Sequence, residues 1–315
     1  MTSITPRVLL RGRWQPWVLA VVAGLSFISA QSKPDSQNGE HAIQDTSKDT
    51  TLSEVTIRAQ REALERQLRA YVASAIREPF DESLVRWNRP ICFLVVGLSR
   101  EEGEFVRARL SHIAVVAGAQ LAPQPCQANF AVVMTAEPNT VLKAWFTRDY
   151  HLFGDAAWQT IDQFLKTPRP VRVWYNIKSE IANGLPGAIQ IPGLIGKGPT
   201  DLPVNPSAEG TRIVFNGVRA FSSVIVTFDN NRTKGLNLDQ LADYAAMVGL
   251  AEIQTDAAVE NTPTILRLFS TSAEPVPTGL SAWDTALLEG LYNTDQRWKV
   301  QRSRILQSML RDIAP

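Results

Sequence analysis

Two apolar runs, PICFLVVGL (90–98) and PCQANFAVVMT (125–135), flank a stretch in which Val106, Leu110, Ile113 and Ala117 recur at helical spacing until Gly118 ends it. Strand, helix, strand in that order predicts a βαβ unit with parallel strands. Two short helices follow over 138–166, the first opened by Pro138 and the second carrying Trp158, Ile161 and Leu165. PVRVWYNI (170–177) then alternates as a strand, TRIVFNGVRA and SSVIVTFD read as two more, and LADYAAMVGLAE (241–252) reads as a short apolar helix. The last third is helical. Its final segment, 296–315, is a basic amphipathic helix in which Trp298, Ile305 and Met309 share a face while Arg297, Lys299, Arg302 and Arg304 cluster. These elements predict an α/β fold: a mixed, mostly parallel sheet of about five strands with a βαβ start, helices packed on it and a helical C-terminus.

The pattern lapses in two places. Residues 31–52 are polar without an apolar period, which describes a flexible tether, and 181–210 hold six glycines and five prolines, too many for a helix or a central strand. A loop of that length suits a covering flap, a partner-binding loop or an inert insertion. Before the tether, Arg7, Arg11 and Arg13 precede an apolar run from Trp17 to Ala30 that closes on ISA. This is the pattern of a secretory signal over 1–30, so the protein is expected to be exported to the periplasm; anchoring in the inner membrane by residues 14–30 is the alternative.

Between tether and sheet, 53–80 form an extension in which Leu64, Leu68, Tyr71 and Ala75 make a helical stripe, supported by Glu62–Arg66 and Glu65–Arg69 spacings. The formal charge of the 315 residues is +1, and removal of 1–30 subtracts three arginines and leaves a slight acidic excess. Nothing in that balance points to nucleic acid. The basic C-terminal helix allows weak membrane contact, against the plainer reading of a packed helix with a solvated basic face. Cys92 and Cys126 are the only cysteines, and each sits at the entry to one strand of the βαβ unit. Parallel strands bring both to one end of the sheet, so an exported protein is expected to join them.

The helix at 241–252 carries the chemical question. Zinc peptidases of the zincin class place His-Glu-x-x-His on a helix, and in metzincins the motif continues to a glycine and a third ligand. Aligned on Gly249, this sequence offers Ala242 and Ala246 at the two histidine positions, Asp243 at the glutamate and Glu252 at the third ligand. TPTILRLF (262–269) stands where the family has its methionine turn, with Leu266 in the methionine's place, and GLSAWDTALLEGLYNTD (279–295) resembles the closing helix. Over roughly 88–295 the sequence thus resembles a metzincin-like domain, and exported bacterial domains of unknown function with that layout. What the resemblance implies is a zincin fold whose zinc centre is dismantled, because a methyl group has no lone pair for a metal.

No metal and no cofactor are therefore expected. The sequence favours a non-catalytic binding or scaffolding module whose partner is an envelope protein or peptide. A hydrolase working without zinc through Asp243, Glu252 or His151 is the alternative from another class. LSEVTIRAQRE (52–62) also resembles the segment after the signal in TonB-dependent receptors, which implies a docking strand and a TonB-linked envelope role.

Overall fold

The computed structural model describes residues 45–77, 83–181, 217–254, 257, 259, 261–270, 275–296 and 298–314. The expected export signal over 1–30, residues 31–44 of the expected tether and the glycine- and proline-rich stretch from 182 to 210 lie outside the described residues. The protein divides into two compact units, Met1–Leu52 and Ser53–Pro315, and the sheet with every helix after the first lies in the second.

The helices are α1 (Asp45–Ala75), α2 (Arg100–Ala117), α3 (Pro138–Arg148), α4 (Trp158–Lys166), α5 (Leu238–Leu250), α6 (Ala282–Asn293) and α7 (Trp298–Ile313), with 3-10 turns at Tyr150–Phe153 and Ile265–Phe269. The strands are β1 (Phe93–Val96), β2 (Phe130–Thr135), β3 (Val171–Ile181) and β4 (Gly217–Asp229), in the order β1-β2-β4-β3. β1, β2 and β4 run parallel, while β3 lies antiparallel to β4 at one edge. The βαβ unit forms as its pattern predicts. Val106, Leu110, Ile113 and Ala117 are the buried stripe of α2, Ser99 and Glu102 make a reciprocal capping box, and Gly118 ends the helix at φ 97°, a conformation other residues rarely adopt.

Alternation along the strands sorts the core into two layers. Val132, Met134, Val224, Val226 and Phe228 join α2, α5, α6, α7 and the C-terminal half of α1 on one face. Val133, Trp174 and Ile225 join α3, α4 and Phe153 on the other. Within the larger layer the carboxylate of Asp284, fully buried near the start of α6, accepts from Tyr71 Oη at 2.7 Å, Ile265 N at 2.9 Å and Ser281 N at 2.9 Å. It thereby ties α1, the Ile265–Phe269 turn and α6 together, and the hydrogen bonds stand in for the lost hydration of a buried charge.

Two expectations change. Among the described residues the sheet has four strands, because Gly217–Ala220 of the first segment and all of the second belong to one β4 of 13 residues, while 211–216 lie outside the described residues. No turn residue separates Ala220 from Ser222, and an irregularity opposite Asn176 and Ile177 absorbs the change of register. Residues 52–62 are helical, not an extended docking strand, and helix already covers Asp45 to Leu52 of the expected tether. Val55 and Ile57 in this segment are 65% and 63% exposed; downstream, Glu65 pairs with Arg69 at 2.7 Å while Leu68, Tyr71, Val72 and Ala75 bury and anchor the helix. As the plainer reading of its pattern expects, α7 sets Ile305, Leu306 and Met309 into the main core.

The disulfide Cys92–Cys126 is formed, with the Cα atoms 6.1 Å apart. Among the described residues no helix is long and apolar enough to cross a membrane. Replacing both cysteines with alanine is expected to lower stability by about 3–4 kcal/mol on the loop-closure model, read from urea midpoints with unchanged slope. A loss below about 1 kcal/mol would mean that the loop is already ordered in the unfolded state.

Candidate functional site

Helix α5 is buried almost all round: every residue from Gln240 to Leu250 except Tyr244 is in the interior. A helix in that position must have each polar group satisfied by protein, since water cannot reach it. Ala242 and Ala246, at the positions of a zinc pair, are 0% and 1% exposed and pack in the main core. Asp243 is 1% exposed. It holds Arg109 of α2 in a two-pronged pair, with Arg109 Nη2 2.8 Å from Asp243 Oδ2, and it accepts Leu280 N at 2.8 Å. Arg109 also meets Asp239 one turn earlier at 3.0 Å. With all of these donors on it, the Asp243 carboxylate joins α5 to α2 and to the segment before α6, and it has no open side from which to activate a water.

The C-terminal end of α5 is satisfied in the same way. Tyr175 Oη donates to Val248 O at 2.7 Å, Trp87 Nε1 to Gly249 O at 2.8 Å, and Tyr292 Oη to Leu250 O at 2.9 Å. These carbonyls belong to the last turn, which has no partners within a helix. Burial pushes the hydroxyls of Tyr175 and Tyr292 well above the usual phenol range, which keeps them protonated as donors. The family resemblance has Gly249 ending the helix, but it is the penultimate helical residue. Its role is close approach: a Cβ there would stand 2.0 Å from Cζ of Phe130.

Glu252, 3% exposed, follows α5 with Arg219 at 3.2 Å and Arg77 at 3.7 Å. Its pKa is nevertheless raised, because desolvation outweighs the attraction of Arg219 and Arg77. Leu266 lies on the Ile265–Phe269 turn, half-buried against the main core. His151 is exposed in the Tyr150–Phe153 turn, whose Phe153 packs in the layer across the sheet from α5. Asp149 Oδ1 accepts the backbone N–H of His151 at 3.1 Å and so caps the turn. The sheet therefore separates His151 from Asp243 and Glu252, and each of these carboxylates is engaged by arginine. No acid/base pair is assembled from them. Among the described residues no group of three or more His, Cys, Asp or Glu is placed to hold a metal ion.

What the structure does assemble is a groove of about 510 Å³ along β3. One wall is Thr160, Gln163 and Phe164 of α4; the other is Tyr244 and Val248 of α5 with Phe269, Ile253 and Gln254. The floor is β3 from Val171 to Tyr175. Asp229 N donates to Pro170 O at 2.9 Å, which sets the phase of the β3–β4 ladder. Pro170, Arg172 and Trp174 then face β4, while Val171, Val173 and Tyr175 turn N–H and C=O outward into the groove. Among the described residues no strand pairs with this edge. Beyond Tyr175 a second cleft of about 480 Å³, lined by His151, Asp155, Asn176 and Lys178 among others, continues along the strand. Sequence reading located β3 but not its open edge, nor the aromatic wall of Phe164, Tyr244 and Phe269. Edge position follows from strand order, for which the local pattern holds no signal.

Asp243→Asn, which leaves Arg109 facing a neutral amide, is expected to destabilise by about 3 kcal/mol, with little further loss on adding Arg109→Met. A double-mutant cycle in urea measures this, and additive losses would dissociate the pair. For Glu252 the sign follows from its raised pKa: the folded state binds the proton more tightly, so ionisation draws stability away as pH rises above the ordinary value of 4.5. Glu252→Gln should thus gain on the wild type between about pH 4.5 and pH 7, seen as a growing difference in Tm. A difference that shrinks with pH would mean that the two arginines outweigh burial.

Comparison with known proteins gives no family model, no curated protein and no solved structure that matches this sequence.

Proposed function

We propose that this protein is an exported, non-catalytic binding module with a metzincin-like layout, and that it takes an extended segment of a partner protein as an added strand on β3. The observation that carries the reading is the outward row of Val171, Val173 and Tyr175 backbone groups at the bottom of a groove walled from both faces of the sheet. An open strand edge is a template for pairing, and backbone hydrogen bonds supply affinity while the walls select side chains. The recess favours a single extended segment over the edge of another folded sheet. Two such edges, each set back between α4 and α5, could not meet without their walls colliding. The carboxylates that a hydrolase would need are engaged in joining elements of the core. The disulfide fits an oxidising compartment outside the cytoplasm, in keeping with the export signal read at 1–30.

Val173→Pro provides a discriminating variant, because proline on an edge strand is tolerated where its missing N–H faces outward. Seven-residue peptides selected on the wild-type protein by display should slow amide exchange at Val171, Val173 and Tyr175. They should bind the folded Val173→Pro protein about tenfold more weakly, the loss of one backbone hydrogen bond with its partner left unpaired. Equal binding to both proteins, or selected peptides that protect other parts of the surface, would end this reading.

A further inference from the structure

The two walls of the groove differ in character. Val171, Val173 and Tyr175 of β3 pack with the main core on the α5 side of the sheet, whereas Trp174 packs with the layer of α3 and α4. On the α5 side the wall is dry. Val248 is 2% exposed, and the rings of Tyr244 and Phe269 stand 4.8 Å apart and nearly perpendicular. Gln254 on the same wall directs its amide N–H groups to Ala73 O and Ile76 O. On the α4 side Thr160 and Gln163 line the groove and are exposed, so that wall is wet. Residues paired across neighbouring strands place their side chains on the same face of a sheet, whichever way the strands run. An added strand therefore sets its residues opposite Val171, Val173 and Tyr175 on the α5 side and the residues between them on the α4 side. An aliphatic side chain gains by leaving water against Val248 and Phe269, where a hydroxyl would exchange water for apolar surroundings. On the other side a hydroxyl or amide keeps water and the polar groups of Thr160 and Gln163 within reach.

We propose that the docked segment is two-faced: aliphatic side chains at alternate positions seat against α5 and Phe269, and hydrogen-bonding side chains of the Thr or Gln type between them face Thr160 and Gln163 of α4. This rests on the strand-addition reading and specifies the partner within it. The pattern is that of a strand belonging to a sheet with one dry face and one wet face.

The probe is a heptapeptide, blocked at both ends, with valine at its even positions and threonine at its odd ones. Affinity is measured by fluorescence anisotropy and the site by amide exchange on β3. Replacing the central valine with threonine should weaken binding about tenfold, and replacing a neighbouring threonine with valine by less than about threefold, because only the first change buries a hydroxyl. The variant Gln163→Cys reads the faces directly. Gln163 is exposed, so its replacement leaves the fold intact, and Cys92 and Cys126 are already joined to each other. In a glutathione redox buffer the new thiol should capture a peptide with cysteine at a threonine position about tenfold faster than one with cysteine at a valine position, since access governs exchange. Equal rates, or faster capture at valine positions, with β3 amides still protected, would overturn the assignment of faces and leave the groove reading standing. Absence of β3 protection with every peptide would remove both.

Discussion

Helix α5 lies inside the protein, and a buried helix still carries a polar backbone at its end and, here, a carboxylate in its middle. Leaving one such group without a partner costs about 1–3 kcal/mol, and more for a charge. The surrounding elements are arranged to prevent this. Arg109 reaches Asp243 from α2, while Tyr175 from β3, Trp87 from the segment before β1 and Tyr292 from α6 reach the last carbonyls. Satisfying α5 therefore fixes the position of most of the larger core layer, and Gly249 lets the helix come close enough to Phe130 for those bonds to close.

The groove is a consequence of the same arrangement. Tyr175 projects from β3 to cap α5, so the strand edge and the helix are held at a set separation, with Tyr244 and Val248 facing the space between. Across the sheet, Arg172 binds the end of α4 through Leu165 O and holds the opposite wall. The cleft thus has the outer edge of β3 at its floor, with the backbone groups of Val171, Val173 and Tyr175 held in place by the pairing of β3 with β4. Ile253 and Gln254 join this wall to α1, since Gln254 donates to Ala75 O and Ile76 O.

Much of the fold is legible in local pattern. The stripe Val106, Leu110, Ile113 and Ala117, the stop at Gly118 and the alternation at 170–177 each report a face that must be buried, and burial is what hydrophobic period encodes. The cysteine pair is legible because parallel strands in a βαβ unit share an end. Elsewhere local pattern misleads for identifiable reasons. The segment 52–62 resembles a docking strand, but the helix anchored downstream by the buried Leu68, Tyr71, Val72 and Ala75 extends back through it. Gly249 reads as a helix stop because glycine has that use, whereas here it answers a ring from another strand.

The sequence by itself determined that no nitrogen ligand stands on the helix at 241–252, since alanine has no lone pair whatever surrounds it, and it determined which faces of α2, α4 and β3 are apolar. Whether Asp243 and Glu252 face a cleft or a cation could only be decided in three dimensions, because their partners Arg109, Arg219 and Arg77 are remote in sequence and are brought near by packing. The open edge of β3 is likewise a property of strand order. It depends on which strand ends up outermost, and no residue within the strand encodes that.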